Sequence, residues 1–260
     1  MCSFVTASES DGILIAVPGA NDGTVAITAL PSEERFATIP APSGIKTGML
    51  MAIRLHLDVP PRRLYVVAGY EAGSLAVFAN TTTGQWETLY THITHTQPVL
   101  SLDLAPGLGC FFSSSADAIV ARHLLNPAAA TGAWKEQTIL KTKHAGQQGL
   151  VVRSDERIFA TAGWDGRVRV YNAGKSSGEI KELAVLKWHK DGVYAIDFAS
   201  VDVGEGASDA KAAEGWNGGT TMVRSNKGLT IAQRREEQTR GTHWLAAGSK
   251  DGKVSLWDIY

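Results

Sequence analysis

The apolar and polar positions of this chain alternate in short, strand-length runs that are broken by glycine-containing turns. The clearest run is FATAGWDGRVRVYNAG, Phe159 to Gly174, where apolar and β-branched residues flank a Trp-Asp-Gly turn. That pattern predicts two short antiparallel strands joined as a hairpin. It returns as HWLAAGSKDGKVSLWDIY, His243 to Tyr260, and more weakly as ILIAVPGANDGTVAITAL, RLYVVAGYEAGSLAVFAN and GCFFSSSADAIVARHLL. Aligned on the turn, the repeats fall at Asp22, Ala72, Asp117, Asp165 and Asp251, at intervals of 50, 45, 48 and 86 residues. A stretch at about 203–242, rich in Gly, Ala, Ser and Thr, interrupts the last unit; without it the final interval is about 46.

A further strand precedes most hairpins (MLMAIRLHL, PVLSLDLAP, QGLVVRSDE, VYAIDFASV), and another follows most of them (FATIPAP, WETLYTHI, EQTILKTK, ELAVLKWH). Four short strands about every 45 residues is the spacing of a β-propeller blade. The expected fold is all-β, a single propeller domain over 1–260. Its five visible units span about 1–45, 46–95, 96–143, 144–188 and 189–260. The insertion holds too few large apolar residues to offset its ordering entropy, so it is expected to be a mobile loop. QRREEQTR within it has the composition of a short helical turn.

Composition narrows the function classes. With 25 Lys+Arg against 26 Asp+Glu and a formal net charge of −1, the chain lacks the basic excess of a general nucleic-acid or anionic-membrane binder. No apolar run approaches the roughly 18 residues of a membrane span, and MCSFVTASES lacks the charged and apolar regions of a signal peptide. Cys2 and Cys110 are too few for a disulfide framework or a CxxC metal site. These features read as a soluble intracellular protein. The 27 glycines fit a chain of many tight turns.

In the WD-repeat pattern, a His before the first strand, a Ser or Thr on the second, an Asp in the turn and a Trp on the third form a buried polar network. Such a network stabilises only when every member finds a partner. The unit around Asp165 supplies His144, Thr161 and, at the Trp position, Tyr171. The last unit supplies His189, Asp251 and Trp257, with Ala247 at the hydroxyl position. The Asp117 unit keeps Ser113 but carries His123 where Trp is expected. The Asp22 unit has Thr28 there, and Ala72 replaces the Asp of its unit. The pattern is therefore strong in two units and degraded in three.

IFATAGWDGRVRVY, with KTKHAGQQGLVVRSDE before it and LKWHKDGVYAIDF after it, resembles the ASTRA-associated protein 1 family. That family is the fungal counterpart of the guanine nucleotide-binding protein beta-subunit-like protein of animals. MCSFV followed by LIAVPG, and the closing LAAGSKDGKVSLWDIY, resemble it too, so the likeness spans the chain outside the insertion. It implies a non-catalytic WD-repeat scaffold subunit of the ASTRA complex, a chromatin regulator linked to the TTT co-chaperone and to maturation of PI3-kinase-like kinases. Those proteins would be its partners. The implied location is the nucleus, with the cytoplasm also open, although no basic localisation run supports it. Family members carry further repeats ahead of MCSFV. The expectation is a chain truncated at its N-terminus that forms part of a seven-bladed propeller and lacks roughly two blades; a five-bladed ring that closes imperfectly is the rival.

No Walker loop, GxGxxG, HExxH or GxSxG occurs, and no catalytic, cofactor or metal site is expected. His92 and His95 form an HxxH pair that a polar loop between blades explains more simply than a metal. Cys110 sits in an apolar run, where a thiol is ordinarily a small buried hydrophobe. Trp164-Asp165-Gly166-Arg167 spells the WDxR box of cullin ubiquitin-ligase substrate receptors, but it falls in a turn rather than at the end of a third strand. The alternative functions are such a receptor or a G-protein-beta-like signalling adaptor. The turn and the loop into the next first strand share one face of a propeller. That makes Trp164, Arg167, Trp188 and Lys250 the candidate partner-binding residues, since Trp and Arg are enriched in hot spots; packing of Trp164 against the neighbouring blade is the competing reading.

Overall fold

The computed structural model describes residues 2–6, 12–59, 62–129, 137–174, 179–201 and 230–259. The first sheet consists of β1 (Ser3–Thr6), β2 (Ile13–Pro18), β3 (Val25–Leu30) and β4 (Arg35–Ile39). The second holds β5 (Leu50–Asp58), β6 (Arg63–Tyr70), β7 (Ser74–Asn80) and β8 (Trp86–Ile93). The third holds β9 (Val99–Ala105), β10 (Cys110–Ser115), β11 (Ile119–Leu124) and β12 (Gln137–Lys141). The fourth holds β13 (Gln147–Val152), β14 (Ile158–Gly163), β15 (Arg167–Asn172) and β16 (Glu182–Lys187). The fifth, three-stranded among the described residues, holds β17 (Val193–Phe198), β18 (Trp244–Ser249) and β19 (Val254–Asp258).

Every sheet is an antiparallel meander in chain order, which is the propeller-blade arrangement the sequence predicts. The helical reading of QRREEQTR also holds: α1 runs over Ile231–Arg240. The expected mobility of the rest of the insertion concerns 202–229, which lies outside the described residues.

The core is divided among the spaces between successive sheets. In β6, Leu64, Val66, Ala68 and Tyr70 face the first sheet, while Tyr65 and Val67 face the third. Burial on both faces is why this strand reads as a continuous apolar run rather than as an alternation. Phe112, Phe159 and Tyr171 stack in sequence between the third and fourth sheets, beside Cys110. Cys110 is fully buried, and burial pushes its thiol up to about 12, so it is an inert hydrophobe. Phe4 and Phe36 on the first sheet and Val254 and Leu256 on the fifth are exposed among the described residues.

The first strands of neighbouring sheets lie side by side, β1 by β5, β5 by β9, β9 by β13 and β13 by β17. Of these strands, β5, β9, β13 and β17 line a cavity of about 260 Å³. Each of the four also carries a register shift against the second strand of its sheet, which leaves Met51, Leu100, Gln148 and Tyr194 as the extra residue. A bulge of this kind re-aims one side chain without ending the sheet. Three of the four, Leu100, Gln148 and Tyr194, line the cavity.

Candidate functional site

The most complete polar network belongs to the third sheet, in a unit whose sequence departs from the pattern. His95 Nδ1 lies 3.1 Å from Asp117 Oδ1, and His95 Nε2 lies 2.9 Å from Ser113 Oγ. Ser113 Oγ is also 2.9 Å from His123 Nε2, and His123 Nδ1 is 3.0 Å from the hydroxyl of Tyr90 in the second sheet. With Asp117 ionised and both imidazoles neutral, one proton arrangement satisfies every atom. Tyr90 donates to His123, His123 to Ser113, Ser113 to His95, and His95 to the carboxylate. Burial pushes the Asp117 carboxyl up, but the His95 hydrogen bond and the amides of Thr96 and Ile119 outweigh it and hold the group below its usual range. The network thus ties the β10–β11 turn to the preceding loop and bridges two sheets. His92, by contrast, is exposed and sits 3.0 Å from the Thr94 hydroxyl, so the HxxH pair is split between solvent and core.

His123 gives this network a pH signature. Burial, the largest cause, holds its pKa well below 6.5. The folded pKa is depressed, so the unfolded chain binds the extra proton and stability falls as pH drops below about 6.5. Urea midpoints should be flat above about pH 7 and decline between about pH 6.5 and 5, at up to about 1.4 kcal/mol per pH unit from this group. His56, lowered mainly by burial, contributes with the same sign. His123→Gln should flatten the decline, and a profile unchanged from the parent would refute the assignment.

The fourth sheet arranges its expected residues differently. His144 Nδ1 is 3.9 Å from Asp165 and its side chain is 40% exposed, whereas Arg169, buried at 1%, makes 2.5 and 3.2 Å bonds to the Asp165 carboxylate. Thr161 donates to Gln147 Oε1 at 2.7 Å rather than to His144. Tyr171 stacks on Phe159 at 5.0 Å, and burial pushes its phenol up to about 12. The cause lies directly across the hairpin. Opposite Ser113 stands Ala121, which leaves room for His95, but opposite Thr161 stands Arg169, whose side chain fills the space beside Asp165. The expected quartet of His144, Thr161, Asp165 and Tyr171 is therefore replaced by an Arg169–Asp165 pair and a Gln147–Thr161 pair.

The fifth sheet recovers its missing hydroxyl from the facing strand. Ser255 sits opposite Ala247, lies 2.8 Å from His189 Nε2, and accepts a 2.9 Å bond from Trp257 Nε1. His189 is buried, with Nδ1 3.8 Å from Asp251. His189 and Trp257 thus meet at Ser255, and Asp251 lies on the other side of the His189 ring.

These networks fix the turns that carry the candidate partner-binding residues. Trp164 is 45% exposed; its indole donates to Gln148 Oε1 at 2.9 Å, and its ring covers Gly146 so closely that no Cβ fits there. Trp188 is 52% exposed and stands edge-on to His189 at 4.8 Å. The Trp164 turn lies against the loop at His189–Gly192, whose Gly192 carbonyl accepts from Lys250 N at 2.9 Å. Trp164, Arg167, Trp188 and Lys250 therefore border one stretch of surface. Trp164 both packs on its neighbours and presents a face to solvent. Tyr194, 46% exposed, lies against Gly192 of this loop and also lines the cavity; no local sequence signal marks its bulge.

Comparison with known proteins agrees with this geometry. The family of the WD domain, G-beta repeat matches residues 136–172, from β12 of the third sheet through β15 of the fourth, and residues 239–258, from the end of α1 through β19. ASTRA-associated protein 1 of Penicillium rubens is 47% identical, over 96% of this chain and 64% of its own length. ASTRA-associated protein 1 of Pyricularia oryzae is 35% identical, over 97% of this chain and 70% of its own length. The chain belongs to the ASTRA-associated protein 1 family. A more distant relative is mouse guanine nucleotide-binding protein subunit beta-like protein 1, 27% identical over 95% of this chain and 60% of its own length. The chain spans about six tenths of the length of the first relatives it matches. Its family membership and WD repeats identify a propeller-type scaffold, and the exposed aromatic stretch of the fourth and fifth sheets is its candidate working surface.

Proposed function

We propose that the chain is a non-catalytic scaffold subunit of the ASTRA assembly, linked to chromatin remodelling, to the TTT co-chaperone and to maturation of PI3-kinase-like kinases, and located in the nucleus. The observation that carries this reading is the likeness to proteins named ASTRA-associated protein 1 along nearly the whole chain. The physical part of the reading is that stacked sheets hold Trp164 and Trp188 in fixed, half-exposed positions, so ordering them costs little on binding. A signalling adaptor of the G-protein-beta type is the second reading, favoured by the name of the mouse relative. The ligase reading is weakened by the position of WDxR, since Trp164 to Gly166 form the turn between β14 and β15.

Affinity purification of the tagged chain from its own cells, followed by mass spectrometry, tests the proposal. Recovery of the co-chaperone subunits or of the kinases is expected, and Trp188→Ala should lower that recovery about tenfold or more if the residue is a hot spot. A cullin adaptor or a gamma-like subunit in their place would overturn the proposal.

A further inference from the structure

The aromatic stretch is also a concentration of unpaired positive charge. Arg167 on β15 stands directly opposite Lys187 on β16. Like charges at directly opposed positions destabilise a strand pair, so folding alone gives no reason for the arrangement. Trp188 follows Lys187 in the chain, Lys190 lies two residues further on, and Lys250 bonds through its backbone to the same loop. All four cations are exposed, and among the described residues none of them is in an ion pair. Nearby cations are paired: Arg169 binds Asp165, and Lys253 lies 3.6 Å from Asp251. The neighbouring carboxylates are thus committed to the turn networks, apart from exposed Asp191 on the loop itself. This clustering occurs in a chain whose net charge is −1, so it is local rather than a general basic excess.

We propose that this face docks an extended acidic peptide segment of a protein partner. Carboxylates of the segment lie against Arg167, Lys187, Lys190 and Lys250, and its apolar side chains rest on Trp164 and Trp188. The proposal rests on the reading of this face as a protein-docking surface and specifies the chemistry of what docks. Fixed aromatic rings beside cations suit such a segment, because rings supply contact area while charges set register. A nucleic acid is the poorer fit. Four cations are a short track for a phosphate backbone, and the chain as a whole offers it no long-range attraction at a net charge of −1.

The test uses two fluorescein-labelled peptides, one with six glutamates around a Leu-Leu centre and one with glutamines in their place, titrated against the full 260-residue chain by anisotropy. The acidic probe is expected to bind at least tenfold more tightly than the glutamine probe, with a preference that shrinks as salt rises. Lys187→Glu should lose about tenfold in affinity for the acidic probe while melting no lower than the parent, since Arg167 then faces an opposite charge. A merely structural role for Lys187 would not produce loss of binding with retained stability. Equal binding of both probes, or full affinity in Lys187→Glu, would overturn the proposal. If that equal binding disappears in Trp188→Ala, the docking surface stands and its acidic preference falls. Absence of binding by either probe at low salt would overturn the acidic-peptide proposal too, while partner recovery from cells separately tests the docking surface. Displacement of the acidic probe by a single-stranded oligonucleotide at lower concentration would assign the face to nucleic acid instead.

Discussion

Ser113→Ala is expected to lower the unfolding free energy by roughly 2–5 kcal/mol, read from the urea midpoint and slope. The hydroxyl is fully buried and is the sole link between two imidazoles, accepting from His123 and donating to His95. Alanine removes both bonds at once and leaves two ring nitrogens without a partner in a site closed to solvent. Each such group costs about 1–3 kcal/mol, more than the net gain from an ordinary hydrogen bond. Ser255→Ala in the fifth sheet is the natural comparison. Its hydroxyl also bonds two rings, but Trp257 is only partly buried and water can replace some of what is lost, so about 1–2 kcal/mol is expected. A loss in Ser113→Ala no greater than in Ser255→Ala would show that the His95–Ser113–His123 chain contributes little.

Gly73→Ala should be comparably damaging for a different reason. Gly73 closes the β6–β7 turn at a φ of +81°, and its carbonyl accepts from the amide of His95. An added Cβ would lie 2.6 Å from the His95 carbonyl carbon, with the carbonyl oxygen closer still and Gln97 O at 3.1 Å. Those are backbone atoms of the loop that positions His95, so no rotamer change relieves the clash. Left-handed strain of about 1–2 kcal/mol and overpacking of about 1–3 kcal/mol together predict a loss of roughly 2–5 kcal/mol. Gly84→Ala isolates the first contribution, because Gly84 has a φ of +79° and open space around it. It should lose only about 1–2 kcal/mol. Equal losses at the two positions would show that the turn of the second sheet does not press on the third.

The Gly73 contact also explains how a unit that has lost its turn Asp keeps its shape. Ala72 offers no carboxylate, yet its amide bonds Thr47 O at 2.9 Å and the Glu71 amide bonds Met49 O at 2.9 Å. Backbone pairing and the close approach of Gly73 do what a side chain does in the next sheet. A degraded motif is therefore no guide to a degraded blade. The Asp117 unit reads as imperfect because His123 stands in the Trp position, but its network has every polar atom matched. The Asp165 unit reads as the best match, but its His is displaced by an arginine.

The strands, their order and their hairpins were legible in the sequence because each depends on neighbours along the chain. Period-two apolar runs, turn glycines and the spacing near 45 residues are local signals, and the ladders follow them closely. Residue types also sufficed for the likeness to the family. Which polar residues meet was decided only by the tertiary structure. His95 enters the core because Ala121 leaves space across the strand, His144 stays out because Arg169 does not, and Ser255 replaces the hydroxyl absent at position 247. The same holds for the bulges at Gln148 and Tyr194, which line the cavity, and for the opposition of Arg167 and Lys187. Side-chain volume across a strand and one-residue shifts of register leave no periodic trace in a sequence, so these contacts exist only once the sheets have paired and stacked.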